Sequence, residues 1–180
     1  TIASTGNSSD FGDSVATRRG NAATSSSIRA LEHLGFSGGT VNTVDYVTIA
    51  STGNASDFGD LTSSDRFWAC AFSSSTKAFF AAGGGGTGSG SNLVDYFTIA
   101  STGNATDWGD LLAGYNAPGA TSSTVYGFIV GGYTNAGATG VVDTIQNISL
   151  SSAGNSSDWA DLTVAGYTNR TVSSTDGGLQ

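Results

Sequence analysis

One phrase of thirteen residues recurs along this chain, and such self-similarity constrains the fold more than any other feature of the sequence. Three copies are nearly identical and the fourth has diverged; they read TIASTGNSSDFGD, TIASTGNASDFGD, TIASTGNATDWGD and NISLSSAGNSSDWAD. Their central glycines occupy positions 6, 53, 103 and 154, so the unit repeats every 47 to 51 residues. A repeat of this length predicts a set of equivalent supersecondary units that bury their apolar faces against one another.

The composition favours β structure with many tight turns. Of the 180 residues, 27 are glycine and one is proline, 38% are hydrophobic and only 11% are charged. The net charge of −8 excludes the basic footprint of a nucleic-acid-binding protein, and no apolar run is long enough to insert into a membrane. Because Cys70 and His33 are each the single residue of their type, we expect no cysteine or histidine metal cluster and no cofactor.

Each unit divides into four short β-rich runs, which we label a to d. In the clearest unit they read FWACAFSSST, KAFFAAGGGG, NLVDYFTIAS and DWGDLL. Strand b is apolar throughout at residues 78–82 and 126–130. Strand c, at residues 94–99, places Val94 and Tyr96 on one face and Phe97 and Ile99 on the other. A sheet with two apolar faces must be covered on both sides, so we predict stacked sheets.

These runs resemble the kelch repeat of β-propellers. The resemblance rests on a Gly-Gly pair that ends strand b, on the aromatic strand c (VDYV and VDYF), and on an aromatic residue that opens strand d. It covers essentially the whole chain and implies an all-β propeller of stacked, four-stranded antiparallel blades. The sequence departs from the kelch pattern before strand a, where Arg18 or Arg19 and Arg66 fill the arginine slot but the third complete unit has none.

The repeat boundaries predict about four units within one domain. We expect a partial blade at residues 1–13, blades at about 14–62, 63–112 and 113–162, and a partial blade at 163–180. In a closed ring the last piece would supply strands a and b, and the first piece strands c and d, of a shared blade. Because the final SSTDGGLQ is too short for a full strand b, a larger ring is an equal alternative, with this chain a piece of a longer protein.

The residue sequence of the copies is also similar to that of repeat-bearing structural proteins of marine tailed phages. This resemblance implies a non-enzymatic virion protein, of the tail fibre or appendage type, that adheres to a host. Its partners would be other virion or surface proteins and host glycans, with homo-oligomers also open. A cellular or secreted kelch-type module that binds proteins, placed outside the cell or on its surface, is the alternative. A propeller enzyme, sialidase-like or oxidase-like, is less favoured. The five arginines do not assemble the arginine triad and acid of a sialidase, and one histidine is too few for a copper oxidase.

The repeated turns and the variable loops should lie at opposite ends of the blades. In a four-stranded antiparallel unit the a-b and c-d turns share one end, and these are nearly constant here. The b-c and d-a connections share the other end and vary, as binding loops of repeat proteins do, with neutral drift of unconstrained loops as the alternative explanation. Their polar and aromatic side chains are our candidate partner contacts: Arg66, Trp68, Tyr115, Asn116, Tyr133 and Asn135.

The repeated acidic motif has a structural interpretation. Asp57-Phe58-Gly59 spells the kinase metal motif, yet related triplets occur in every copy, and a catalytic triplet is not needed four times. We expect each aspartate to cap its turn through Asx-type hydrogen bonds, and each aromatic residue to pack between blades. Calcium binding by the same carboxylates is disfavoured, because one or two per turn are few for an ion that takes six to eight oxygens.

Overall fold

The chain folds into antiparallel β-sheets, and the all-β class predicted from the sequence is confirmed. The structure is a computed structural model that describes residues 6–36, 38–64, 66–84, 90–135, 139–168 and 171. Within these ranges fourteen strands form three four-stranded sheets and one two-stranded hairpin, and there is no helix.

Each four-stranded sheet is built from strands that follow one another along the chain, and only sheet 3 is interrupted, by a hairpin. Sheet 1 contains β1 (Ala22–Ser25), β2 (Arg29–His33), β3 (Thr43–Thr48) and β4 (Ser56–Asp60). Sheet 2 contains β5 (Cys70–Ser73), β6 (Lys77–Ala81), β7 (Ser91–Thr98) and β8 (Thr106–Tyr115). Sheet 3 begins with β9 (Gly119–Ser122) and β10 (Tyr126–Val130), after which the chain forms a separate hairpin of β11 (Tyr133–Asn135) and β12 (Thr139–Val141). It then returns to sheet 3 as β13 (Thr144–Ser149) and β14 (Ser157–Asp161).

Two buried apolar clusters hold the three sheets together. The first cluster combines side chains of sheets 1 and 2, with Leu31 and Phe58 from sheet 1 packed with Phe80 and Phe97 from sheet 2. The second cluster combines sheets 2 and 3, and includes these side chains: Phe72, Phe79, Trp108, Ile129 and Ile148. Full burial of one such side chain is worth about 2 kcal/mol, so these clusters are the main favourable term in folding.

Sheet 2 is apolar on both faces, as the alternation in its strands predicts. On β6, Phe79 belongs to the second cluster and Phe80 to the first. On β7, Val94 points into the second cluster and Phe97 into the first, which confirms the predicted faces of strand c. Sheet 2 is therefore packed between sheets 1 and 3.

The repeated phrase joins sheet 1 to the first copy and each later sheet to the one before it, a role that the sequence interpretation missed. In each later copy the glycine N–H, and the N–H two residues further on, donate to carbonyls of the preceding copy at 2.8 Å. The pairs are Gly53 with Phe11 and Ala55 with Asp13, Gly103 with Phe58 and Ala105 with Asp60, and Gly154 with Trp108 and Ser156 with Asp110. We call this set of contacts a staple.

The asparagine of the phrase completes each staple. Its side-chain oxygen accepts a hydrogen bond from the N–H of the second aspartate in the preceding copy. The three bonds are 3.0 to 3.1 Å long and join Asn54 to Asp13, Asn104 to Asp60, and Asn155 to Asp110. With three hydrogen bonds of about 1 kcal/mol each, one staple contributes as much as a well-buried side chain.

The structural interpretation of the acidic motif is confirmed where it can be followed. Asp10 and Asp107 each accept a hydrogen bond from the N–H two residues later, at 3.0 and 3.1 Å. Phe58 and Trp108 are buried between sheets. The aromatic residues of the first and last copies differ, because Phe11 is 40% and Trp159 59% exposed.

The glycine of the D-F/W-G-D segment is required by the staple. At Gly12, Gly59 and Gly109 a Cβ would lie 2.2 to 2.3 Å from the carbonyl oxygen of the glycine in the following copy. The φ angles at these positions are 148° to 151°, a conformation that L residues with side chains rarely adopt. Both space and backbone conformation therefore select glycine.

His33 is fully buried in sheet 1, where its imidazole is held in the neutral form. Its Nε2–H donates to the Val41 carbonyl at 3.0 Å, while Nδ1 has no hydrogen-bond partner. Burial lowers the pKa of His33 from the usual 6.5 to about 4, with the Val41 hydrogen bond acting in the opposite direction. The imidazole is therefore neutral in the folded protein at neutral pH.

Replacing Gly59 by alanine should weaken the contact between sheets 1 and 2. The new methyl group would collide with the Gly103 carbonyl oxygen, and the φ of +148° disfavours alanine. We expect the free energy of unfolding, measured by urea denaturation, to fall by roughly 2 kcal/mol or more.

Gly53→Ala is the matched control. A Cβ at Gly53 meets no atom within 4 Å, and its φ lies outside the left-handed region. This variant should change stability by less than about 0.5 kcal/mol. Equal losses for the two variants would contradict the steric argument.

Acid should destabilise the protein through His33. The unfolded chain takes up a proton near pH 6.5, but the folded protein does so only near pH 4, so stability falls as the pH decreases through this interval. At about 1.4 kcal/mol per pKa unit, the loss approaches roughly 3 kcal/mol. Urea denaturation at pH 7 and pH 4 should show this loss.

The variant His33→Val isolates the histidine contribution, since Val130 holds the equivalent register in sheet 3. Carboxylate titrations remain in both proteins, and only the histidine term is removed. If the wild type and the variant lost the same stability between pH 7 and pH 4, the buried neutral imidazole would not be the cause.

Candidate ligand-recognition end

The b-c and d-a connections lie at the same end of the antiparallel sheets, which we call the loop end. Four equivalent turns lie at this end. Gly20, Trp68 and Ala117 each stand two residues before the first strand of a sheet, and Thr168 takes the corresponding place after β14. Their φ angles are 68°, 59°, 50° and 54°, in the left-handed region that non-glycine residues occupy at a cost.

A chain of hydrogen bonds connects these four turns. The Trp68 N–H donates to the Gly20 carbonyl at 3.3 Å, and the Ala117 N–H donates to the Trp68 carbonyl at 3.0 Å. The Thr168 N–H donates to the Ala117 carbonyl at 2.7 Å. The left-handed conformation is thus maintained by bonds between successive units, which explains why three of the four positions tolerate a side chain.

A cavity of about 310 Å³ lies among the four turns. Its lining comes from every one of them: Gly20, Asn21, Trp68, Ala69, Ala117, Pro118 and Thr168. The volume is within the range of small-molecule sites, and the lining mixes an indole ring with amide, hydroxyl and main-chain groups. Such a surface can combine apolar contact with directed hydrogen bonds.

An aromatic row runs across the loop end beside this cavity. The ring centroids of Phe36 and Phe67 are 5.6 Å apart, and Phe67 stacks on Trp68 at 4.5 Å. Trp68 meets Tyr133 edge to face at 6.4 Å, and Tyr133 meets Tyr167 at 5.6 Å. We call these five residues the aromatic arc. Its members come from connections of all three sheets, so the arc exists only when the sheets are stacked.

The arc is exposed at two of its members. Trp68 and Tyr167 are 44% and 46% exposed, whereas Tyr133 is buried. Burial, and secondarily the neighbouring Tyr167, raises the pKa of Tyr133, so its phenol remains a hydrogen-bond donor. The Trp68 ring is held by Phe67 on one side and remains available to a partner.

Arg66 lies below the surface and fixes the connection between sheets 1 and 2. The side chain is fully buried, with Nη1 3.2 Å from an Asp95 carboxylate oxygen. Its other N–H groups donate to main-chain carbonyls at 2.5 to 3.2 Å; these belong to Ala82, Phe80 and Leu93. Asp95 also accepts bonds from the N–H and hydroxyl of Thr62, at 3.0 and 2.7 Å. Arg66 thus supports the loop end from within.

The other residues predicted as partner contacts differ in how far they are exposed to solvent. Trp68 is exposed and lines the cavity, while Tyr115, Asn116 and Tyr133 are each about 95% buried. The main chains of Asn116 and Tyr133 pair with each other at 2.9 and 3.1 Å, so both support the surface. The Asn135 side chain lies outside the described residues.

Sequence reasoning missed several residues of this end. Phe36, Phe67 and Tyr167 of the arc, and Asn21 and Pro118 of the cavity, were not among the candidates. The aromatic residues of the d-a connections, at Phe67 and Tyr167, were an available signal, because apolar side chains that cluster at a surface often mark a binding site.

A metal-ion cluster and a membrane-spanning helix are both absent from the described part of the chain. No group of three or more histidine, cysteine, aspartate or glutamate side chains that could hold a metal ion is found there. Those same residues form no helix long and apolar enough to span a membrane. No protein-family model and no curated protein sequence matches the chain.

Removing the Arg66 side chain should leave a buried carboxylate uncompensated. We expect Arg66→Met to lower the free energy of unfolding by about 3 to 5 kcal/mol, as for other buried pairs that lose one partner. Urea denaturation measures this loss.

The double variant Arg66→Met/Asp95→Asn tests the cause. Gln146 already places a neutral amide at the equivalent position of sheet 3, where it accepts the Leu112 N–H at 2.9 Å. We therefore expect the double variant to be more stable than the single one. A double variant as unstable as the single one would show that the buried charge is not responsible.

Proposed function

We propose that this chain is a non-enzymatic recognition module that binds carbohydrate at its loop end. The aromatic arc beside the cavity carries this proposal. Sugar rings present apolar C–H faces and a polar rim of hydroxyl groups. An exposed indole offers a surface for such a face, while neighbouring amide, hydroxyl and carbonyl groups can bond the rim.

The charge of the chain restricts the class of carbohydrate. With a net charge of −8, the protein repels polyanionic ligands at long range. The described lining of the cavity contains no basic side chain that would neutralise a sugar carboxylate or sulfate. We therefore infer a neutral glycan as the ligand class.

We further propose that the three sheets are blades of a kelch-like β-propeller whose axis passes through the cavity. Two observations support this arrangement: the sheets stack face to face, and the four equivalent turns border one common cavity. The turn-to-turn hydrogen bonds connect units in sequence order, as adjacent blades require. Ring size and closure are left open by this proposal.

A virion appendage is the biological setting that we propose. Its support is the similarity of the repeated phrase to structural repeats of tailed phages, together with a scaffold in which staples fix every unit. A rigid array that presents variable loops at one end suits adhesion to a host surface. The alternative, a kelch-type module for protein partners, is favoured by the tyrosine and tryptophan content of the arc, since both residues are enriched in protein interfaces.

Trp68→Gly tests the proposed site. Glycine occupies the equivalent position at Gly20, so this variant keeps the left-handed turn while it removes the indole. Neutral glycans that bind the wild type on an array are titrated by calorimetry. We expect the affinity to fall at least tenfold, or roughly 1.4 kcal/mol.

Trp159→Ala is the matched control, because Trp159 is also exposed but lies on β14. It should retain wild-type affinity. Equal loss in the two variants, or none in Trp68→Gly, would contradict the site. Binding of a protein partner that depends on Trp68, without any glycan binding, would favour the kelch-type alternative.

A further inference from the structure

The stacked sheets form a directional array. Each staple joins two segments, which we call the donor loop and the acceptor segment. The donor loop holds the glycine of one copy, whose N–H donates, and the asparagine, whose side-chain oxygen accepts. The acceptor segment holds the aromatic residue and the second aspartate of the preceding copy. In the described part of the chain, β4, β8 and the first copy around Phe11 receive a donor loop. β14 receives none.

The fourth acceptor segment differs from the other three at one position. It reads Asp158-Trp159-Ala160-Asp161, so alanine replaces the glycine that the staple requires. At Gly59 and Gly109 a Cβ would lie 2.3 Å from the oxygen of the docked donor glycine. Ala160 carries this Cβ, and its φ is not positive. A donor loop placed on β14 in the usual register would therefore collide with the Ala160 methyl group.

A second contact between sheets is also missing on sheet 3. At the start of the second strand, Arg29 of sheet 1 donates to the Ile99 carbonyl of sheet 2 at 2.8 Å. Lys77 of sheet 2 likewise donates to the Leu150 carbonyl of sheet 3 at 3.3 Å. Sheet 3 has Tyr126 in this register, which is 42% exposed. Sheet 3 thus lacks both features that the other sheets use to contact a following sheet. These are the basic side chain that donates a hydrogen bond and the glycine that leaves space for the donor loop.

We propose that Ala160 closes the acceptor edge of β14, so that no copy of the repeated phrase can staple onto it. The occupant that it excludes is the first phrase, either from the same chain or from a second copy. The equivalent residues of that phrase, Gly6 with its donor N–H and Asn7 with its acceptor side-chain oxygen, are exposed. One methyl group therefore separates an edge that cannot receive the phrase from one that can.

An acceptor segment left open on β14 would allow the protein to associate with itself. A donor loop at one end and a free acceptor at the other form a heterologous contact, which extends into filaments unless the rotation closes a ring. Exposed strand edges carry the same hazard, and proteins usually protect them with charges, bulges or steric obstacles. Ala160 is a steric obstacle at the backbone position where every staple approaches most closely.

Ala160→Gly is the decisive variant, and sedimentation velocity over a range of concentrations is the first measurement. We expect the wild type to show no association that depends on Asn7. The Ala160→Gly protein should form concentration-dependent dimers and longer species. If docking occurs within one chain instead, the mass should stay constant and the thermal midpoint should rise by roughly 4 °C, because about 1 kcal/mol of docking energy or more is gained.

Ala160→Gly/Asn7→Ala is the control, because it removes the amide that should accept the Asp161 N–H. Without docking, a glycine within a strand only destabilises, so the midpoint of this double variant should fall below that of the wild type. Two results would overturn the proposal: an Ala160→Gly protein with the mass and midpoint of the double variant, or a wild-type protein whose self-association is abolished by Asn7→Ala.

Discussion

The staple between successive copies of the phrase is the interaction on which the rest of the structure depends. Sheet 2 buries apolar side chains on both faces, but dispersion and burial are non-directional and leave the stacking register open. The three hydrogen bonds of a staple are directional, and they fix each sheet at its outer strand. The turn-to-turn bonds at Trp68 and Ala117 fix it again at the loop end. The aromatic arc, with members from the connections of all three sheets, forms because both constraints hold.

Much of the architecture could be predicted from the sequence. Strand b of the third complete unit was predicted at the bounds of β10, Tyr126–Val130, because apolar runs between turn signals are strong indicators of buried strands. The two faces of β7 also followed from simple alternation. The hairpin of β11 and β12 was not predicted, because its short strands lie in a polar, glycine-containing stretch without a clear period.

The candidate site was less predictable than the fold. Trp68 was identified from its place in a variable connection, but Arg66 satisfies that description equally and is buried. The difference depends on Asp95, 29 residues away, which pairs with Arg66 only after sheets 1 and 2 have stacked. The role of the phrase was missed for a related reason: Asn104 binds Asp60, a residue of the preceding copy, whereas a pattern within one copy suggests a local turn.

The staple also determines how such a chain can change in length over evolution. The residues that it joins lie 41 to 45 positions apart, and both halves are encoded in each of the first three copies, through main-chain groups, the asparagine amide and the glycine of the acceptor segment. Removal or insertion of one whole unit therefore leaves every donor opposite an acceptor. A deletion of part of a unit breaks two sheet contacts at once. Recombination between the near-identical copies of the phrase yields the first kind of change, so the array can gain or lose sheets while its loop end diversifies.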